Sequence, residues 1–285
     1  MKKIALLSCD SLEGFFCYDE MLVEPFAGRG FDAELISWRA QVDWNEYEAV
    51  IVRATWDYQD HFKEFDETLD KINSSSARLL NPLEIIKWNF SKLYLQELEQ
   101  KGVDIIPSHF SNSFDFDLAY DLYSKYQCEE IIIKPCVSAN SDDTFRLNVS
   151  ELCNQTQKLK ELFNGRDHMY QPFISSVIQN GEYSLFYFGG EFSHAILKTP
   201  KDGDFRVQEE HGGRLQKIIP SEKMLQASSK IIAEIVPSPL YARIDLVEYE
   251  NKYLLMEVEL IEPSLYFNLD DESAGRFVEA YINSR

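Results

Sequence analysis

A chain of 285 residues, 45% hydrophobic and 13% aromatic, carries enough apolar material for a large core and for two or three lobes. Its 48 acidic against 28 basic residues give a formal charge of -20, which argues against nucleic acid or an anionic membrane as the main partner, since both repel an acidic surface. Any phosphate must then be held in a local basic pocket. The opening Met-Lys-Lys-Ile-Ala-Leu-Leu lacks the longer apolar core and small-residue cleavage site of a signal peptide. No run reaches the roughly 20 apolar residues that span a bilayer. Cys9, Cys17, Cys128, Cys136 and Cys153 form an odd, scattered set without Cys-x-x-Cys, which predicts reduced thiols and a cytoplasmic location.

Ile4 to Ser8 reads as a buried strand, Tyr18 to Gly28 as a mixed helical stretch and Ala33 to Trp38 as a second strand. Ala49 to Arg53 makes another, and Phe62 to Ile72 an amphipathic helix. Strands alternating with helices imply a parallel sheet. Ligands bind beyond the carboxyl ends of such strands, which puts Cys9-Asp10 and Arg53-Ala54-Thr55-Trp56-Asp57 at a rim. There Arg53, Trp56 and Asp57 either grip a carboxylate substrate or form a structural salt bridge.

Asn81-Pro82-Leu83-Glu84 has the chemistry of a helix start, with Asn as cap and Pro at the first helical position. Helical character resumes from Phe90 through Lys92 to Gly102, a C-terminal stop. After Val103 to Phe110 come a helix around Phe116 to Tyr126 and the strand Glu130 to Pro135. A lysine at the end of a buried strand, here Lys134, requires a charged partner. The small residues Cys136 to Ser141 then form either a phosphate cradle or an ordinary loop. A polar helix from about Glu151 to Phe163 leads into Met169 to Ile174, a short connection between lobes. Strands Glu182 to Phe188 and Glu191 to Lys198 meet at Gly189-Gly190, a hairpin signal. Lys201 to Arg214 is polar and glycine-bearing, so a mobile loop with function on it is expected, and His211 within it is either a general base or simply solvated. A helix from Ser221 to Val236 precedes the last pair of strands.

That pair, Tyr241 to Ser264, concentrates the chemistry. Two apolar-rich runs flank Glu250-Asn251-Lys252, so a hairpin with a three-residue loop is expected. Alternation puts Ala242, Ile244 and Leu246 with Leu254, Met256, Val258 and Leu260 on a core face. The other face carries Arg243, Asp245, Glu257 and Glu259, with Asp245 opposite Glu257 and their Cβ atoms about 5 Å apart. Like charges so placed repel. Either Mg²⁺, a hard cation that takes carboxylate oxygens, is held by Asp245, Glu257 and Glu259, or the face is merely solvated.

The order of these features resembles the ATP-grasp ligases over nearly the whole chain. The likeness is strongest to the glutathione-synthetase branch and to the cyclo-ligases that form cycloserine from O-ureidoserine. Arg-x-Thr-Trp-Asp-Tyr stands at Arg53 to Tyr58, Lys-Pro-x-x-Ser-Ala at Lys134 to Ala139, Asp-Phe-Arg-Val-Gln at Asp204 to Gln208, and the acidic hairpin at Met256 to Ser264. The family often has Asn where Glu259 stands, and glycines in the phosphate loop.

The resemblance implies an α/β chain with α+β lobes, an ATP-grasp fold preceded by a parallel-sheet, Rossmann-like pre-ATP-grasp domain. Residues 1–84 would form that substrate domain and 85–285 the ATP-grasp domain, with a lid lobe at about 107–170 and a catalytic lobe at about 171–285. It further implies ATP and Mg as cofactors. Lys92, Lys134 and Ser138 would meet the phosphates, Gln171 and Ile174 adenine, and Glu182 the ribose. Lys198 and Arg206 would reach the γ-phosphate or an acyl phosphate, and Asp245, Glu257 and Glu259 would bind Mg²⁺. Arg53, Trp56 and Asp57 would suit a small amino-acid-like substrate. The implied reaction activates a carboxylate as an acyl phosphate and couples it to an amine; a small-molecule kinase or a non-catalytic nucleotide-binding protein are the alternatives. Exposed aromatics in the first lobe leave a homodimer open.

Overall fold

The computed structural model describes residues 1–138 and 142–285. Its first part alternates strand and helix: β1 (Lys2–Ser8), α1 (Val23–Gly28), β2 (Phe31–Ser37), β3 (Tyr47–Ala54), α2 (Phe62–Asn73) and β4 (Arg78–Leu80). The strands form a parallel sheet in the order β2-β1-β3-β4. Ile4 to Leu7 and Ala49 to Val52 are buried throughout, the mark of strands covered on both faces. The helical stretch from Tyr18 is divided, a 3-10 turn over Asp19–Leu22 running into α1.

α3 (Leu83–Asn89) and α4 (Tyr94–Gln100) follow. Two expectations are corrected here. The cap position of α3 falls to Pro82, while the Asn81 side chain donates to the Tyr241 and Leu260 carbonyls at 2.9 and 2.8 Å and accepts from the Leu240 N–H at 2.6 Å. A buried amide that satisfies three backbone groups of the last hairpin is used as a clamp instead of a cap. Lys92, for its part, lies in the turn between α3 and α4 and not inside a helix.

A second, antiparallel sheet has the order β5-β8-β6-β7. It is built from β5 (His109–Ser111), α5 (Phe116–Tyr126), β6 (Glu130–Pro135), β7 (Phe145–Asn148), α6 (Val149–Leu162) and β8 (His168–Pro172). Asp115 caps α5 through the N–H groups of Asp117 and Leu118, and Asn148 with Glu151 makes a capping box for α6. The helices cover one face of the sheet, packing Leu122, Leu152 and Leu159 on Ile131 and Ile133. Most of Met169 to Ile174, read above as a connection, is therefore the strand β8, paired on both sides.

The third sheet is antiparallel, β11-β10-β9-β12-β13. After α7 (Ser176–Gln179) its parts are β9 (Glu182–Phe188), β10 (Glu191–Thr199), β11 (Arg214–Ile218), α8 (Glu222–Ala233), β12 (Tyr241–Tyr249) and β13 (Lys252–Glu259), and α9 (Ser273–Asn283) closes the chain. Gly189 and Gly190, at φ +59° and +85°, make the tight turn that only glycine adopts without strain.

The β12–β13 hairpin turns through two residues, not three: Glu250 and Asn251 have φ +49° and +64°, and Tyr249 pairs with Lys252. Asp245 nevertheless faces Glu257, because Met256 is an extra residue between that pair and the Leu246–Leu255 pair. Such a bulge restores the register that a two-residue turn alone would lose. It also exchanges faces: Leu255 joins the core with Ala242, Ile244, Leu246 and Val258 beneath α8. Leu254 and Met256 turn instead toward Ile106, Ile174, Val177, Val207 and Val247.

The first and third sheets are locked together by α9, whose Phe277, Val278 and Tyr281 pack with Phe26 and Phe31 on one side and Phe186 and Phe188 on the other. The Tyr241 hydroxyl donates to the carbonyls of Val52 and Ile261 at 2.6 and 2.9 Å across the same joint. Among the described residues no helix is long and apolar enough to cross a membrane, and the five cysteines are unbridged.

Candidate active site

A cleft opens where the three sheets meet, and several of the elements that border it lend charged groups. Lys92, in the turn before α4, sits with its N–H donating to the Cys136 carbonyl at 2.8 Å. Its ammonium donates to the Ser138 carbonyl at 3.0 Å and pairs with Glu257 at 3.0 Å, tying the end of β6 to β13. Burial alone would lower the Lys92 ammonium, but Glu257 carries it above the usual lysine range.

Lys134 ends β6 on the cleft wall, where burial and neighbouring Lys92 hold its ammonium below the usual range against the pull of Glu257. Among the described residues no side chain or carbonyl pairs with it. Ser138 is the last described residue of the following loop; the motif's Ala139, with Asn140 and Ser141, lies outside the described residues.

Lys198 of β10 stands directly opposite Glu182 of β9, bonds to it, and lies 3.4 Å from Asp245. The strands come this close at Gly181, φ +84°, where a Cβ would lie 2.5 Å from the Lys198 carbonyl. Asp245 also accepts from the Ser184 hydroxyl and from Arg243, which donates as well to Glu259 and to the Ser264 carbonyl. Glu182, Lys198, Asp245, Arg243 and Glu259 thus form one alternating chain of charge across β9, β10, β12 and β13. Glu182, expected at ribose, has its carboxylate taken up by Lys198.

Arg206 lines the cleft from the loop between β10 and β11, its guanidinium held by Asp204 at 2.8 Å. Two ties fix that loop: the Gly213 N–H donates to the Gln208 carbonyl at 3.0 Å, and the Tyr18 hydroxyl reaches Glu209 at 3.2 Å. Buried Val207 anchors it in the apolar end of the cleft with Ile174, Ile106 and Met256. Gln171, beside them, donates from its amide to the Ser108 hydroxyl at 2.8 Å.

Of the three substrate residues expected at the rim, Trp56 lines the cleft and the other two do not. Arg53 is 1% exposed; it pairs with Asp19 at 3.1 Å and donates to the Pro263 carbonyl at 2.7 Å, which is the structural salt bridge of the two readings. Asp57 accepts from the Trp38 indole at 2.8 Å and pairs with Arg39. The Trp56 indole donates to the Glu262 carbonyl at 2.8 Å and its ring meets Phe15 at 5.2 Å between centroids.

Glu262, Arg243 and Phe15 are cleft residues that the sequence reading passed over. The signal for Glu262 was in view, a further acid in the run Glu257-x-Glu259-x-x-Glu262-Pro263. Burial and the neighbouring Glu259 push its carboxyl up to about 8, and burial with Glu257 and Asp245 pushes Glu259 up to about 7 despite Arg243. Glu257 and Glu259, two apart on β13, share the cleft-facing side and offer hard oxygen donors whose repulsion a divalent cation would offset. They fit such an ion. Asp245 is committed to Lys198, Arg243 and Ser184, and among the described residues no three acids or histidines are already gathered about one point.

The cleft is thus lined by lysines from three elements, Lys92, Lys134 and Lys198, and by the acids Glu257 and Glu259 of the last hairpin. The family model for the RimK-like ATP-grasp domain matches residues 95–265, and one for the N-terminal domain of D-cycloserine synthetase DcsG matches residues 4–81. The chain belongs to the RimK-like ATP-grasp family and is an ATP-dependent ligase. It is 29% identical over 276 residues to the cycloserine biosynthesis protein DcsG of Streptomyces lavendulae, covering 91% of each chain. The crystal structure of D-cycloserine synthetase DcsG superposes with a TM-score of 0.87 at 27% identity over 99% of both chains. The ATP-grasp ligase PsnB, solved with minimal precursor, Mg and ADP, shares the fold at a TM-score of 0.67 and 14% identity, over 99% of this chain and 96% of that one.

Proposed function

We propose that this ligase activates the carboxylate of a small amino-acid-like substrate and closes it into a ring, with an O-ureidoserine as substrate and a cycloserine as product. The observation that carries the reading is Lys134, a cation on the cleft wall with no partner among the described residues, placed beside Lys92 and opposite the β12–β13 acids. An ATP phosphate supplies the missing charge. A substrate carboxylate oxygen attacks the γ-phosphorus and ADP departs; the ureido nitrogen bonded to oxygen then attacks the acyl carbon, loses its proton and displaces phosphate, and water cleaves the carbamoyl group from that nitrogen as carbon dioxide and ammonia. Lys92 and Lys134 hold the phosphates, with the Ser138 loop beside them.

Arg206 and Lys198 meet the transferred phosphoryl group, where positioned cations stabilise the charge that develops. Arg206 reaches it by leaving Asp204. Ile174 and the backbone near Gln171 border adenine, and Glu182 faces the ribose. A magnesium ion bound by Glu257 and Glu259, with Asp245 behind them, would neutralise phosphoryl oxygens. Residues 1–84 serve as substrate domain and 85–285 as ATP-grasp domain, and the unbridged cysteines support a cytoplasmic setting. Likeness to D-cycloserine synthetase in both domains supports the choice of substrate.

The test is incubation with ATP, Mg²⁺ and O-ureido-D-serine. ADP, phosphate and a cyclic product in equal amounts are expected. ADP with a stable phosphorylated substrate and no new C–N bond would contradict the reading.

A further inference from the structure

Among the described cleft-lining side chains, the charges of Lys134, Glu210 and Glu262 have no ion-pair partner, and the others are matched. Lys92 has Glu257, Lys198 has Glu182, Arg243 has Glu259 and Arg206 has Asp204. Lys134 is unmatched at the phosphate end. Glu262 is unmatched beneath the carboxyl edge of the parallel sheet, near Lys92, Glu257 and Glu259. Its side chain is partly buried and lines the cleft. Among the described residues its carboxylate receives a hydrogen bond only from its own backbone N–H, and the cation that acts on it most, Lys92, is already paired with Glu257.

The main chain at this point is held from outside. Trp56 donates to the Glu262 carbonyl at 2.8 Å and Arg53 to the next carbonyl, Pro263, at 2.7 Å. Arg53 in turn is fixed by Asp19 at 3.1 Å, so the rim of the parallel sheet dictates where the Glu262 side chain begins. Beside it Phe15 and Trp56 present paired rings to the same cleft. A desolvated carboxylate without a cation is costly, and one flanked by aromatic faces matches an organic cation in both charge and shape.

We propose that Glu262 binds the ammonium group of the substrate, with Phe15 and Trp56 as its apolar wall, so that this ligase selects carboxylates bearing a free amine. The inference rests on the ligase reading above and adds a residue and a selectivity to it. Arg53 acts at one remove, as a positioning residue, and the substrate runs from Glu262 at its amine to the lysines at its carboxylate.

The test uses the full chain with ATP and Mg²⁺, and O-ureido-D-serine and D-alanine as probes, each free and N-acetylated, with ADP release as readout. The wild type is expected to turn over a free amino acid at least roughly 10-fold better than its N-acetyl form. Glu262→Gln, the same shape without charge, is expected to raise KM for the free amino acid roughly 10- to 100-fold and to shrink that preference, with KM for ATP unchanged. Should Glu262→Gln fail to fold, Trp56→Phe, which loses the hydrogen bond to the Glu262 carbonyl, is expected to raise the same KM.

An unaltered amino-acid KM in the folded variant overturns the proposal. So does a raised Mg²⁺ requirement at constant amino-acid KM, which would make Glu262 a metal ligand, or a wild-type preference for the N-acetyl forms. ADP release from none of the four compounds would overturn the ligase reading on these substrates and this inference with it.

Discussion

Asp245 stands directly opposite Glu257 across the last hairpin, and the two carboxylates are held by different cations: Lys198 and Arg243 take the first, Lys92 the second. Two acids facing across a ladder would repel. Distributing them between the floor of the sheet and Lys92 offsets the repulsion, and leaves Glu257 as the one of the pair that lines the cleft.

Glu257→Gln keeps the shape of the side chain and removes the charge that pairs with Lys92 and that the proposed magnesium site requires. ATP turnover should fall by at least about 100-fold, the scale on which a single electrostatic contact to a reacting group acts. Far-UV circular dichroism should be unchanged. Full activity in a steady-state ADP assay would refute the metal assignment.

Lys134 should trade stability for function. An unpartnered, partly buried ammonium costs free energy, so Lys134→Met is expected to leave the thermal midpoint of the unliganded protein unchanged or to raise it. Affinity for ATP, measured by titration calorimetry, should drop at least roughly 10-fold. A variant that binds ATP normally would remove the lysine from the phosphate site.

Gly213 holds the Arg206 loop by its lack of a side chain. A Cβ there would lie 2.0 Å from the Val207 carbonyl oxygen and 2.9 Å from that of Gln208, both backbone atoms that cannot step aside. Gly213→Ala should cost the loop about 1–3 kcal/mol. Faster proteolytic cleavage within 201–213 and a lower kcat are expected, while α8 and the β12–β13 hairpin stay protected from hydrogen exchange. Equal loop cleavage in the two proteins would contradict the packing.

His194 makes the fold sensitive to acid. Burial pushes its imidazole down to about 4, with Nε2 bonding to the Leu265 carbonyl at 3.1 Å and the ring stacked 4.2 Å from Phe186. The unfolded chain takes up that proton near pH 6.5, so the neutral ring stabilises the fold fully above 6.5. The contribution, at most about 3 kcal/mol, is lost as pH falls toward 4. Urea midpoints should therefore decline more steeply between pH 6.5 and 4.5 in the wild type than in His194→Gln; parallel declines would exclude His194 as the cause.

Where local pattern settles the outcome, the sequence was legible. β1 and β3 read as unbroken apolar runs, β9 and the Gly189-Gly190 turn follow from alternation and turn chemistry, and β6 was bounded to the residue. Ser221 to Val236 holds α8, and the order of lysines, arginine loop and acidic hairpin pointed to the ligase class. What stayed hidden depends on partners distant in the chain. Asn81 looks like a cap until the last hairpin arrives to claim its amide. The Arg53 to Asp57 motif admits both a substrate grip and a structural salt bridge, and only the fold shows its two charged groups closing on Asp19 and Arg39. The Asp245–Glu257 pairing was read correctly from a wrong turn length, because nothing in Leu254-Leu255-Met256 marks which residue bulges.

In the proposed reaction the cleft joins a substrate carboxylate oxygen to the γ-phosphorus of ATP. Turnover of O-ureido-D-serine labelled with ¹⁸O in its carboxylate measures that bond directly. One labelled oxygen should appear in each phosphate released, by mass spectrometry, in step with ADP. ADP formed alongside wholly unlabelled phosphate would show that no acyl phosphate is made and would contradict the account.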